Sequence, residues 1–318
     1  MLNDILILIA SLAVLGFSAH YMVNAAIHIA KRFNIPTILI GLTVVAAGTS
    51  APEISVSIIA ALNGNGALSV GNVIGSNIFN LGFILGLIAV IRPQNIHKKM
   101  VNRDGLVLVF STLVVLLCIW NQYVSFWEGA LLLGLLVAYN VYLFVKKDAP
   151  ELDEEELRDA KWYDFVIFIG GLLLLIKSSD YVVESAVSMA KGFGMSEWAI
   201  GVTIVAAGTS LPEIATSVAA TFKKKFDLAV GNVVGSDIFN ALGIIGVSAF
   251  VAPLQLENHR HILPLPDNVF SMIILVLTIV LILVFMRTGW KISRREGVIL
   301  LVISVVRMFF EGYMGSGN

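Results

Sequence analysis

Residues Gly41 to Glu53 read GLTVVAAGTSAPE, and 160 positions later Gly201 to Glu213 read GVTIVAAGTSLPE, with ten of the thirteen positions identical. Each copy places a carboxylate inside an otherwise apolar run long enough to span a bilayer, directly after Gly-Thr-Ser and a proline that disturbs a helix. An ionised side chain at the bilayer centre costs roughly 2.5 to 3.5 kcal/mol on insertion scales, and here the cost falls twice, at equivalent places. A bound cation would offset it.

The rest of the chain is consistent with a membrane setting. Of its 318 residues 58% are hydrophobic and 14% charged, against a charged fraction of about a quarter in soluble domains. A formal net charge of −1 gives no reason to expect nucleic acid as a partner. The single cysteine, Cys118, excludes an intrachain disulfide and is expected simply to pack in an apolar run. The first apolar segment follows Met-Leu-Asn-Asp rather than a basic stretch, so it is expected to be a retained helix, with no soluble domain appended.

Apolar runs separated by polar or glycine-rich breaks predict ten spans with cores near Leu6–Ala30, Thr37–Leu62, Leu68–Ile91, Leu106–Trp120, Phe126–Val145, Phe165–Ala190, Ala199–Thr221, Leu228–Val251, Val269–Met286 and Gly297–Phe310. Lys and Arg favour cytoplasmic loops. With the N-terminus outside, the inside connections hold Lys31 and Arg32; Arg92, Lys98, Lys99 and Arg103; Lys146, Lys147, Arg158 and Lys161; Lys223 to Lys225; and Arg287, Lys291, Arg294 and Arg295. These are 17 of the 21 basic residues. Both termini are therefore expected outside.

The duplication extends beyond the opening motif. VGNVIGSNIFN, Val70 to Asn80, returns as VGNVVGSDIFN, Val230 to Asn240, with nine of eleven positions identical. Five helices separate equivalent positions, and an odd number inverts the second half relative to the first. The expected fold class is an all-α polytopic membrane protein of ten transmembrane helices in two inverted-topology five-helix repeats. The boundaries are residues 1–146 for the first repeat, with its motif at 41–80, and 162–318 for the second, with its motif at 201–240. A cytoplasmic linker, 147–161, joins them. Its acidic cluster Asp153 to Glu156 lacks the ligand spacing of a calcium loop, so a solvated linker is the simpler reading.

Thr49 and Glu53 share a face of an ideal helix, as do Thr209 and Glu213. Pro52 and Pro212 crowd the carbonyls of Gly48 and Gly208, which predicts local unwinding and carbonyls released as oxygen ligands. The second motif adds Ser76 and Asn80, and Ser236 and Asn240. Its glycines Gly71, Gly75, Gly231 and Gly235 permit close helix contact. A cluster of Glu, Thr, Ser and Asn without sulfur or imidazole suits hard cations such as calcium and sodium rather than copper or zinc. His20 and His28 are not duplicated, which fits polar groups near a helix end or a water path. Lys177, Asp180 and Glu184 share a face of the sixth span, as an ion path or, more simply, a salt bridge near the outer surface.

These two motifs and their second copies resemble the α-repeats of the cation/calcium exchanger superfamily, particularly prokaryotic sodium/calcium exchangers. The resemblance implies adjoining sodium and calcium sites at the midplane, with ligands at Ala46, Thr49, Ser50, Glu53, Ser76 and Asn80 and at Ala206, Thr209, Ser210, Glu213, Ser236 and Asn240. It also implies that the first and sixth helices form a sliding gate. The sequence departs from some archaeal and potassium-dependent relatives in having Asn240 where they have Asp, and it carries Asp237 opposite Asn77. Asp237 would lie either beside the site or at a helix break towards water. The Asn makes potassium co-transport a weaker expectation.

The function expected is secondary active antiport of Ca2+ against Na+ by alternating access in the cell membrane. Ca2+ and Na+ are the transported ions, no organic cofactor is needed, the bilayer is the main partner, and a monomer suffices. Proton/calcium antiport is the alternative within the same class, because a carboxylate in low dielectric gains proton affinity. A passive calcium channel would equilibrate calcium without a sodium gradient. An enzyme would need a nucleophile with a base, or a metal held by His or Cys, and the duplicated site offers neither.

Overall fold

The break expected at Gly-Thr-Ser-x-Pro is present. In the computed structural model, which describes residues 2–146, 160–193, 206–256 and 266–315, helix α2 (Thr37–Thr49) and helix α3 (Ala51–Leu62) meet at Ser50 with a bend of 49°. Ser50 has ψ near 11°, outside the helical well, and Pro52 stands in the first turn of α3, where its missing N–H is harmless. Ser210 has the same backbone form, with Pro212 in the first turn of its helix.

Helix α1 spans Leu2–Arg32, α4 Gly66–Ile91, α5 Met100–Ile119, α6 Phe126–Lys146 and α7 Trp162–Gly192. Then come α8 (Leu211–Phe222), α9 (Phe226–Val251), α10 (Asp267–Arg287) and α11 (Arg294–Gly315). Among the described residues seven helices are long and apolar enough to cross a membrane, or eight if α2 and α3 count as one broken span. The expected span Ala199–Thr221 begins outside the described residues. The one at Gly297–Phe310 falls within α11, whose first turn carries Arg294, Arg295 and Glu296. The linker cluster Asp153 to Glu156 lies outside the described residues.

The two helices bearing the VGNVxGS motif form the core. The hydrophobic window of α4 is 72% buried and that of α9 83%, against 28% for α1 and 22% for α6. Close approach explains part of this. A Cβ on Gly235 of α9 would lie 2.5 Å from the Leu42 Cα of α2, and one on Gly231 would lie 3.0 Å from the Ile38 carbonyl oxygen. The expected close packing therefore holds at these two glycines. Among the described residues nothing lies within 4 Å of a Cβ on Gly71 or Gly75.

Helices α1 and α7 lie alongside each other, with Gly171 against Met22. They are tied at one end by His28 Nδ1 to Asp164 Oδ1 at 3.0 Å and by Arg32 Nη1 donating to the Ala160 carbonyl at 2.8 Å. The loops pair across the halves of the chain. Strand β1 (Gln94–Asn95) pairs antiparallel with β4 (Lys291–Ile292), and β2 (Tyr123–Val124) with β3 (Leu254–Gln255). These pairings put the loop around Arg92 to Lys99 beside that around Arg287 to Arg295, and the loop after α5 beside the loop after α9. Cys118 is buried, as expected.

Candidate cation site

Glu53 and Glu213 are buried, at 1% and 0% exposure, each in the first turn of the helix that follows its break. Each carboxylate is met by the serine of the other copy. Ser210 Oγ donates to Glu53 Oε1 at 3.3 Å, and Ser50 Oγ donates to Glu213 Oε1 at 3.2 Å.

The ideal-helix reading of Thr49 with Glu53 does not survive the geometry, because the break at Ser50 falls between them. Thr49 is fully buried and donates to the Ala46 carbonyl at 3.3 Å and to Asn232 Oδ1 at 3.4 Å. The Ala46 carbonyl is not released by the kink either, since it accepts the Ser50 N–H at 3.1 Å. The carbonyl that Pro212 leaves without its usual partner, at Gly208, is taken by Ser179 Oγ of α7 at 3.2 Å. Ser179 has no signature in the repeat, since its counterpart in α1 is Ala19.

Asn80 and Asn240 are buried at 1% each, and both lie at the start of π-helical turns, Asn80 as the second residue of Phe79–Ile84 and Asn240 as the first of Asn240–Ile244. Such turns widen the backbone ladder and recur at functional positions. Asn240 Nδ2 donates to Asn77 Oδ1 at 3.0 Å, and Asn77 Nδ2 donates to the Asp237 carbonyl at 3.0 Å. Asp237 is 0% exposed and accepts from Asn80 Nδ2 at 3.0 Å, so it stands beside the cluster and not at a break towards water. Ser76 and Ser236 are buried on the same two helices.

Two asparagines of the motif escaped the sequence reading. Asn72 Nδ2 donates to Ser57 Oγ at 2.9 Å and to the Glu53 carbonyl at 3.2 Å, and Asn232 Nδ2 donates to Ser217 Oγ at 3.0 Å. They fix α3 to α4 and α8 to α9 one turn from the acids. The signal was available: Asn72, Ser76 and Asn80 recur every four residues, in both copies.

Among the described residues Glu53 Oε2, Glu213 Oε2, Asn80 Oδ1, Asn240 Oδ1 and Asp237 Oδ2 are buried acceptors with no donor. Leaving a buried polar atom unsatisfied costs about 1–3 kcal/mol, more for a charged group, and a cation is what acceptor-only oxygens lack. Among the described residues no three His, Cys, Asp or Glu side chains are grouped to hold a metal ion, so any ion here relies on carboxylates mixed with amide, hydroxyl and carbonyl oxygens. His20 and His28 are engaged elsewhere: His28 binds Asp164, and His20 Nε2 lies 3.2 Å from Lys223 Nζ. Lys177 and Asp180 form an exposed pair at 3.5 Å, the simpler of the two readings for them.

The chain is similar to membrane proteins, sodium/calcium exchangers among them. It is 32% identical over 305 residues to the inner membrane protein YrbG of Escherichia coli, covering 92% of each chain. It is 29% identical over 344 residues to the sodium/calcium exchanger MaX1 of Methanosarcina acetivorans, covering 95% of this chain and 96% of that one. The structure superposes with a TM-score of 0.82 on the sodium-calcium exchanger NCX_Mj soaked with Na+ and Sr2+, at 30% identity, over 96% of this chain and 97% of that chain. It is thus a multi-pass protein of a cell membrane. The family model described as sodium/calcium exchanger protein matches residues 3–145 and 163–311, and the chain belongs to that family.

Proposed function

We propose that this protein exchanges Ca2+ for Na+ by alternating access, at an all-oxygen site near the bilayer midplane. Glu53 and Glu213 are its centre. Thr49, Ser50, Ser76, Asn80 and the Ala46 carbonyl complete it from one half, and Thr209, Ser210, Ser236, Asn240 and the Ala206 carbonyl from the other. Asp237 stands alongside, hydrogen-bonded to Asn80. The frame proposed is ten spans in two inverted repeats, residues 1–146 and 162–318, joined by a cytoplasmic linker, with both termini outside. Strand pairing between loops rich in Lys and Arg supports that orientation, because it puts two connections expected in the cytoplasm on one side.

The observation that carries the reading is the crossed pairing of Ser210 with Glu53 and of Ser50 with Glu213, each acid keeping one buried oxygen without a donor. Two ionised carboxylates carry −2, which one Ca2+ or two Na+ neutralises. Competition for that shared charge couples the ions: the pocket reorients when filled by either and not when empty. Helices α1 and α7, packed along each other outside the core, form the gate that slides between its two faces. A third Na+ would leave one net charge moving per cycle, worth about 2.3 kcal/mol per 100 mV.

Vesicles loaded with sodium and diluted into sodium-free medium with labelled calcium test this. Native protein takes up calcium, and Glu53→Gln and Glu213→Gln do not. Uptake driven by a pH gradient and indifferent to sodium would reassign the coupling to protons. Full activity in both variants would refute the site.

A further inference from the structure

Helix α8 runs from the buried Glu213 to Lys223, and helix α1 lies along it. Thr216, one turn on from Glu213, shares a face of α8 with Lys223 seven residues later, whereas Ser217 is turned to Asn232 of α9. Thr216 is 0% exposed and its Oγ1 has no partner among the described residues, yet its counterpart in the first half, Val56, is 37% exposed. The two acid-bearing helices are therefore covered unequally.

At the end of that face Lys223 Nζ lies 3.2 Å from His20 Nε2 of α1. An ammonium only donates, so the imidazole accepts. Neither residue is repeated: the positions 160 residues away are Asp180, which pairs with Lys177 on its own helix at 3.5 Å, and Asn63. The bridge thus joins a gate helix to a core helix in one half of a duplicated frame. Sliding α1 along α8 by one helical turn, about 5.4 Å, would take the imidazole beyond hydrogen-bond range.

We propose that His20 and Lys223 form a latch that holds α1 over the Glu213 face of α8, and that the Lys223 ammonium stands at the mouth of the passage along that face as a fixed positive charge, opposing the entry of cations while the latch is closed. Thr216 gains a water partner only when α1 withdraws, so burial of its hydroxyl favours opening and the bridge at the rim opposes it. The inference rests on the reading of α1 as part of a sliding gate, and it holds whichever cations are carried.

The test is thiol labelling of the full-length protein in detergent, with Cys118→Ala to remove the native thiol and Thr216→Cys as the reporter. A cationic and an anionic methanethiosulfonate of similar size are compared. Ala220→Cys, also buried and one turn nearer Lys223, serves as reporter should Thr216→Cys prove unstable. His20→Ala and Lys223→Gln are each expected to raise the cationic labelling rate about threefold, and the double variant no further than Lys223→Gln, with thermal midpoints unchanged. Lys223→Gln should also raise the cationic rate more than the anionic one. His20→Glu, which offers the ammonium a carboxylate, should slow labelling, and the slowing should vanish when Lys223→Gln is added. Unchanged rates in both single variants, or gains that multiply in the double, overturn the latch. A cationic-to-anionic ratio unmoved by Lys223→Gln overturns the role of the charge. Labelling is read without ion gradients, so failure of sodium-driven calcium uptake strikes the proposed exchange and leaves this result standing, and the reverse holds.

Discussion

Ser210 Oγ lies 3.3 Å from Glu53 Oε1 although 157 residues separate the two, and Ser50 repeats the contact with Glu213 at 3.2 Å. A hydroxyl that donates to a carboxylate here can turn its lone pairs to an arriving cation, so one atom serves both states. Hydrogen bonds to charged groups contribute about 1.5–3 kcal/mol. Ser50→Ala and Ser210→Ala are each expected to raise the calcium concentration for half-maximal uptake by roughly tenfold or more, and by similar factors because the contacts match. A large loss in one variant with none in the other would show that the halves do not share the ion equally.

Asp237→Asn keeps an acceptor for Asn80 Nδ2 and removes one carboxylate from beside the cluster. At the effective dielectric of a protein interior such a charge is worth on the order of 1–2 kcal/mol to a nearby divalent ion. Calcium half-saturation should rise about tenfold, with the thermal midpoint little changed. An unaltered half-saturation would put Asp237 out of the ion's electrostatic reach.

Gly235→Ala drives a Cβ to 2.5 Å from the Leu42 Cα, where backbone meets backbone and neither can yield. The variant should lose most folded protein in detergent, as read by size-exclusion chromatography. Gly170→Ala, with nothing within 4 Å of its Cβ, should match the native profile.

Asp104 is fully buried and held by Arg103 Nε at 2.8 Å, Arg103 Nη2 at 3.0 Å and Tyr139 Oη at 2.8 Å. Tyr139→Phe removes one donor and is expected to cost about 1–3 kcal/mol. Arg103→Leu strands the acid and should cost about 3–5 kcal/mol. Thermal midpoints should fall in that order, and a reversed order would mean that the tyrosine carries the network.

What the sequence made legible is what repeats: the two acids, the serines beside them, the breaks at Pro52 and Pro212, and the all-helical frame. Helical spacing then misled, because it pairs each residue with its own helix. It joined Thr49 to Glu53 across a break that separates them, whereas Glu53 is met by Ser210 and Glu213 by Ser50. Asn72 and Asn232 went unread because their partners, Ser57 and Ser217, lie on neighbouring helices. Ser179 was invisible for the opposite reason, since it answers a carbonyl and has no copy to compare. The exchange of β1 with β4 and of β2 with β3 involves two-residue strands, too short for any alternation to show.

That exchange bears on how the chain is made. When the ribosome has delivered the first 146 residues, Gln94–Asn95 and Tyr123–Val124 are still waiting for mates, and Glu53 for the serine that will face it. A product cut short there carries open strand edges and an acid without its facing hydroxyl.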